Sequence, residues 1–238
     1  MAARELVYDS QIYTLGYEIV NHELSDTIVF LHGWGSNKEI MKQAFGDELK
    51  RFRLIFLDLP GFGVSSIKKP LKTDDYASIT KQFLDSLHVE QFSIVGHSFG
   101  GKVATLLNPK NLILLSSAGI LVKKSCKIKM KIKLFKLFKN IVPKNMYRFF
   151  ASEDVSGMSQ VMYETLKNVV DEDFRPIFKK VTSNTLVFWG KKDSATPLSS
   201  GKEISKIIKQ STFYALEGDH FFFIKNSKFI AKVMDEQL

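Results

Sequence analysis

Three residue types able to share the work of acyl transfer occur along this chain in one order: a serine, an aspartate and a histidine. Ser98 lies in "FSIVGHSFGGKVATLL" (Phe92–Leu107), framed as Gly96-x-Ser98-x-Gly100. A serine held on a sharp strand-to-helix turn, hydroxyl uppermost, tolerates little bulk two positions to either side, and the two glycines meet that demand. The same stretch also reads as Gly96-x-x-x-x-Gly101-Lys102, close to a phosphate-binding loop. That loop needs a hydroxyl after its lysine to hold magnesium, and Val103 stands there. Asp58, ending "RLIFLD", could pass for its metal-binding acid, but a nucleotide site gives no reason for a serine centred between glycines.

Other loops supply the remaining parts. "FLHGWGSN" (Phe30–Asn37) follows an apolar run, and its glycines let backbone amides turn inward. A tetrahedral oxyanion needs two such donors, and the N–H groups of Trp34 and of Phe99, just after the serine, are the candidates. "FWGKKDSATP" (Phe188–Pro197) carries Asp193 at the end of a late apolar run, where a carboxylate can reach an imidazole or simply cap its own turn. "LEGDHFFFIKN" (Leu216–Asn226) carries His220 in a glycine-containing loop. Ser98 would attack, His220 would accept and return the proton, and Asp193 would orient the ring. Asp219 is the rival acid, disfavoured because a neighbouring residue seldom folds back onto the same imidazole. In "DLPGFGVSS" (Asp58–Ser66) the Pro-Gly-x-Gly turn reads as structural, with Phe62 either packing there or reaching the pocket.

These loops need a scaffold. The runs "TIVFLH", "RLIFLD", "FSIVG", "NLILLS" and "TLVFWG" are apolar at consecutive positions, as strands buried on both faces are. Helical stretches lie between several of them, for example Asp74–Leu87, where Tyr76, Ile79, Phe83, Ser86 and Leu87 can share a face. Alternation of strand and helix predicts an α/β fold with a mostly parallel central sheet flanked by helices. Leu6–Tyr8 and Ile12–Val20 are expected to form an antiparallel edge hairpin. The rhythm breaks near Ile120 and resumes at Thr185, which predicts a core over residues 1–119 and 183–238 with a helical lid inserted over 120–182.

The 238 residues suit one sizeable domain, 45% hydrophobic and 25% charged. One cysteine, Cys126, excludes an internal disulfide framework; with no apolar signal core in "MAARELVYDSQIY", a cytoplasmic location is expected. The net charge of +9 is concentrated: no acidic residue lies between Glu90 and Glu153, an interval holding 12 Lys and Arg.

The order and approximate spacing of "HGWGSN", "DLPGFGVSS", "GHSFGG", "WGKKDSATP" and "GDHFFF" resemble the α/β-hydrolase superfamily across nearly the whole chain. The resemblance implies that Ser98, Asp193 and His220 form a catalytic triad. It implies neither a metal nor an organic cofactor. Two lidded groups are most similar. One is the carboxylesterases, including the pimeloyl-acyl-carrier-protein methyl ester esterases, which share an HGWG loop. The other is the meta-cleavage-product hydrolases, which split carbon–carbon bonds in 2-hydroxy-6-oxo-dienoates. Phe221 stands where the second group usually carries tryptophan, and Arg148 and Arg175 are the only arginines available for its substrate-binding lid position. Haloalkane dehalogenases and epoxide hydrolases would need an aspartate in place of Ser98.

Trp34, Phe99 and Phe221 are expected to line an apolar pocket, which favours a small to medium acyl ester over a sugar or peptide. The lysines of Lys123–Lys139 lie along an amphipathic helical pattern whose apolar face holds Met130, Leu134, Leu137, Phe138 and Ile141. Such a stripe is a solvated lid face, or a dock for an acidic partner such as an acyl carrier protein, or a contact with an anionic membrane surface. No recognition motif points to nucleic acid. A non-catalytic binding protein on the same scaffold is the reading from another class.

Overall fold

The computed structural model describes residues 2–121 and 158–238. Strands β1 (Ala2–Tyr8), β2 (Gln11–Val20), β3 (Thr27–Leu31), β4 (Arg53–Leu57), β5 (Phe92–His97), β6 (Asn111–Leu115), β7 (Asn184–Gly190) and β8 (Ser211–Leu216) form a single sheet. Its order is β1-β2-β4-β3-β5-β6-β7-β8. From β4 to β8 every neighbouring pair is parallel, while β1–β2 and β2–β4 are antiparallel. The expected edge hairpin is therefore present, turning through Asp9 and Ser10, both at positive φ. The five apolar runs form β3 to β7. Strand β8 has no counterpart among the expected strands, because it is only partly covered and lacks the uninterrupted apolar run of its neighbours.

Consecutive strand residues feed opposite faces of the sheet, as the two-residue period requires. Val29, Leu31, Ile55 and Leu57 point into one apolar layer, and Ile28, Phe30, Leu54 and Phe56 into the other. The first layer is covered by α2 (Thr73–Ser86), α3 (Phe99–Leu107) and α6 (Leu198–Ile207), which bury Tyr76, Phe83, Val103 and Ile204. The second is covered by α1 (Lys38–Phe45), α7 (Phe222–Lys225) and α8 (Ser227–Gln237), with Phe45, Phe222, Ile230 and Met234 inside. On α2 the expected Tyr76, Ile79 and Phe83 are fully buried, joined by Thr80 and Leu84, whereas Ser86 and Leu87 are only half-buried. Within the expected lid interval, α4 (Gln160–Val169) and α5 (Arg175–Phe178) are described. The basic segment Lys123–Lys139, Cys126 and Arg148 lie outside the described residues.

Strand β3 is followed in the chain by β4 on one side and in the sheet by β5 on the other. The loops leaving the ends of β3 and β5 therefore meet where the winding direction reverses, the usual crevice for ligands in open α/β sheets.

Candidate active site

Ser98 occupies the turn between β5 and α3 with φ 50° and ψ −113°, a conformation that costs a side-chain-bearing residue strain and so must be imposed by its surroundings. Its amide donates to the Leu115 carbonyl at 3.1 Å, and its carbonyl accepts from Gly101 and Ala118, both at 3.0 Å. The glycine frame has a geometric cause. A Cβ on Gly96 would lie 2.5 Å from the Gly100 carbonyl oxygen and 2.6 Å from the Gly101 Cα. A Cβ on Gly100 would lie 2.5 Å from the carbonyl oxygens of Leu31 and His32. The helix thus starts hard against the end of β3, carrying the serine with it.

The "HGWG" loop lies on the same spot. A Cβ on Gly33 would be 3.1 Å from the Ser98 Cβ. The Trp34 and Phe99 amides find no acceptor among the described residues, so both donors of a candidate oxyanion site are unspent. The loop is braced from below. His32 is fully buried, donating through Nδ1 to the Gly33 carbonyl at 2.8 Å and accepting at Nε2 from Leu59 N–H at 3.1 Å. Burial lowers its pKa to about 4, so it stays neutral. Asp58, also fully buried, accepts from the Lys38 amide (2.7 Å), the Lys38 ammonium (2.9 Å) and the Val64 amide (3.1 Å). That set ties the start of α1 to the Pro-Gly-x-Gly turn. Asp58 is thereby spent on a structural ion pair. Phe62 stands edge-on to both Trp34 and His32, with ring centroids 4.9 and 5.4 Å away.

Asp193 and His220 are brought together by the ends of β7 and β8. The Lys191 and Lys192 amides donate to the Leu216 and Gly218 carbonyls, zipping the two loops, and a Cβ on Gly190 would strike the Asp219 carbonyl at 2.2 Å. Asp193 Oδ2 accepts from His220 Nδ1 at 2.8 Å, while Oδ1 accepts the Ala195 and Thr196 amides, each at 2.9 Å. Turn-capping and ring-orienting, alternatives in the sequence, are done by the two oxygens of one carboxylate. Burial alone would raise the Asp193 pKa, but the bonds from His220 and Thr196 outweigh it and hold the carboxyl at about 2. With Nδ1 protonated toward Asp193, the lone pair of His220 lies on Nε2, the nitrogen a base would use. Asp219 is occupied with its own turn, accepting from the Phe221 amide.

His97, next to Ser98, lies tilted against the His220 ring with centroids 4.7 Å apart, and donates through Nε2 to the His220 carbonyl at 3.0 Å. Burial, reinforced by the neighbouring His220, lowers its pKa to about 3. It therefore steers the histidine loop as a neutral ring, a role its position in "GHS" does not announce. Ser98 Oγ makes no hydrogen bond to the His220 ring; such bonds commonly tighten only when substrate is bound.

Beside Ser98 opens a cavity of about 390 Å³. Trp34, Phe99, Ile120, Leu121, Leu166 and Val169 supply apolar wall, and Lys102 with Glu172 a charged one. Phe221 is not among its lining residues; it is 43% exposed, its ring 5.3 and 5.6 Å from those of His97 and His220. Arg175 is paired with Asp173 and Glu203 and does not reach the cavity. Lys102, the lysine of the phosphate-loop reading, is buried and paired with Glu172.

Residues 26–112 match the family model described as alpha/beta hydrolase fold. The AB hydrolase superfamily protein YisY of Bacillus subtilis is 28% identical over an alignment of 250 positions, covering 90% of this chain and 92% of that protein. A pimeloyl-[acyl-carrier protein] methyl ester esterase of Legionella pneumophila is 34% identical over 80 residues, 34% of this chain and 30% of the esterase. Among solved structures, a hydrolase from Pseudomonas aeruginosa superposes with a TM-score of 0.76 at 19% identity, over 99% of this chain and 98% of that one.

Proposed function

We propose that this chain, which belongs to the α/β-hydrolase superfamily and is a hydrolase, cleaves carboxylic esters of small to medium, mainly apolar acyl groups through an acyl-enzyme on Ser98. The observation that supports the reading is that the strained Ser98 lines one cavity with Trp34 and Phe99, whose amides are unspent, and with Thr196, whose hydroxyl lies 3.4 Å from the Nδ1 that His220 directs to the buried Asp193 carboxylate.

The reaction follows from those positions. His220 Nε2 removes the Ser98 proton as Oγ attacks the ester carbonyl, and Asp193 stabilises the imidazolium that results. The amides of Trp34 and Phe99 receive the oxyanion. The imidazolium then protonates the departing alkoxide, leaving an acyl-Ser98 ester. Water, deprotonated by the same ring, releases the acid. A non-catalytic scaffold has no chemical need for this set together.

The carbon–carbon hydrolase reading shares every one of these residues. The ester reading is preferred because, among the described residues, the cavity contains no arginine to hold a dienoate carboxylate, and its one cation is already paired with Glu172. An acyl carrier protein docked at the Lys123–Lys139 segment would fit the partial likeness to the Legionella esterase. Short p-nitrophenyl esters tested against a ring-fission product separate the two reactions. The nucleophile is tested by intact-mass spectrometry after fluorophosphonate treatment. One adduct on the wild-type chain, lost in Ser98→Ala, is expected; its absence from folded wild-type protein would sink the assignment.

A further inference from the structure

The cavity beside Ser98 is apolar over most of its wall and charged at one place. Lys102 stands four residues beyond Ser98 on α3, about 6 Å along the helix axis, and both line the cavity. The lysine side chain is only 2% exposed. Its ammonium donates to the Val169 carbonyl at 2.5 Å and to Glu172 Oε2, and sits 4.7 Å from the centre of the Phe174 ring. Glu172 is held in turn by the Thr73 hydroxyl at 2.5 Å.

A brace between α3 and the 160–178 segment would be the simplest account. A buried ion pair is a poor brace, however, since apolar residues of the same volume usually join two elements as well or better. This pair also faces the space where an acyl group must lie. An ammonium carries three N–H donors, and among the described residues the two named bonds use two of them. Because the pair is electrically neutral, a carboxylate arriving there meets Glu172 as well as Lys102. An uncharged oxygen meets only the donor.

We propose that Lys102, held by Glu172, is the specificity-determining residue of this site. It ends the acyl pocket in a polar wall that selects acyl groups bearing an uncharged hydrogen-bond acceptor, an oxo, hydroxyl or ether oxygen, over alkyl chains of equal length. The inference rests on the reading of Ser98 as the nucleophile. Burial pulls the Lys102 pKa down and Glu172 opposes that pull. A methylene lodged against the third N–H leaves that donor unsatisfied, the loss that lets polar sites reject apolar isosteres.

The test uses p-nitrophenyl hexanoate and isosteres in which carbon 3, 4 or 5 of the acyl chain is replaced by an ether oxygen. Comparing the ratio of kcat/KM values in wild type with the same ratio in Lys102→Met cancels the inductive effect of the oxygen. At least one isostere is expected to gain about tenfold in wild type relative to the variant, the worth of one hydrogen bond from a charged donor, and mostly through KM. Glu172→Gln, which keeps the lysine and removes its counter-charge, is expected to gain about tenfold on the p-nitrophenyl half-ester of glutaric acid. Ratios that agree within about twofold between wild type and Lys102→Met would overturn the proposal, as would a Glu172→Gln enzyme indifferent to the glutaryl ester. If Lys102→Met does not fold, Glu172→Gln decides alone. Fluorophosphonate labelling run in parallel distinguishes the failures: labelled Ser98 with flat ratios removes this inference only, and unlabelled wild-type Ser98 removes the nucleophile and the inference together.

Discussion

Replacing Asp193 by asparagine removes one charge and keeps most of the local hydrogen bonds. The asparagine carbonyl can still accept the Ala195 and Thr196 amides that Oδ1 holds at 2.9 Å, so the turn after β7 survives. What changes is the atom facing His220. Oδ2 accepts from Nδ1 at 2.8 Å, and an amide NH₂ there would donate instead, forcing the imidazole proton onto Nε2. The ring could then no longer take the serine proton. The imidazolium of the transition state also loses a counter-charge. With charge centres about 4 Å apart and an effective dielectric constant of about 20, that attraction is about 4 kcal/mol, or about a thousandfold in rate. Adding the tautomer reversal, kcat/KM for p-nitrophenyl butyrate should fall by about 10³ to 10⁴, with the melting temperature little changed and Ser98 labelling slowed in proportion. An Asp193→Asn enzyme within tenfold of wild type, folded and labelled at the normal rate, would refute the assigned role. The same carboxyl gives a pH signature. Its folded value of about 2 lies below the ordinary 3.8, so its contribution to stability is present above about pH 4 and is lost as pH falls toward 2. Acid-unfolding curves of the variant should lack that component.

Three more outcomes follow from the site's supports. Gly100→Ala would drive a Cβ to 2.5 Å from two backbone carbonyls at the end of β3; about 1–3 kcal/mol of stability should be lost, with kcat reduced further because α3 is pushed off the Trp34 loop, as read by urea unfolding and ester kinetics. Lys38→Met strands the buried Asp58 carboxylate with two amides for partners; about 3 kcal/mol should be lost, whereas Lys42→Met, which breaks a partly exposed pair with Glu18 one turn further along the same helix, should cost far less in the same denaturation series. His32 and His97 are buried neutral, with pKa values lowered to about 4 and about 3 from 6.5. The unfolded chain binds more protons than the folded one below pH 6.5, so stability should fall steadily from there toward pH 4, and His97→Asn should make the slope of melting temperature against pH shallower.

The parts of this protein that depend on neighbours in the chain are legible in its amino-acid sequence alone. Apolar residues on consecutive positions announce β3 to β7, because a strand buried on both faces has no polar side. The Gly-x-Ser-x-Gly frame announces its turn, because crowding two residues either side of a strained serine is a local matter. Ser98, Asp193 and His220 stand out by loop ends and chain order for the same reason. Strand β8 escapes because it lies at the sheet edge, where partial exposure relaxes the apolar pattern. Phe221 is expected in the pocket from proximity to His220 alone, but its ring lies beside the His97 and His220 rings and outside the cavity lining.

The contacts that give the site its character join residues far apart in the chain, and only sheet order decides those. Pairing of β3 with β5 lays Gly33 against Ser98, and pairing of β7 with β8 delivers His220 to Asp193. Lys38 meets Asp58 from 20 positions away, and Lys102 meets Glu172 from 70. In sequence Lys38 and Glu172 are ordinary charges, and Asp58 and Lys102 stand out only as parts of a phosphate-binding loop. Burial makes them consequential, because a charge removed from water must find its partner wherever the fold has put one. Residue types and local spacing therefore determined the chemistry this chain can attempt, and the packing of distant segments decided which groups would hold it in place.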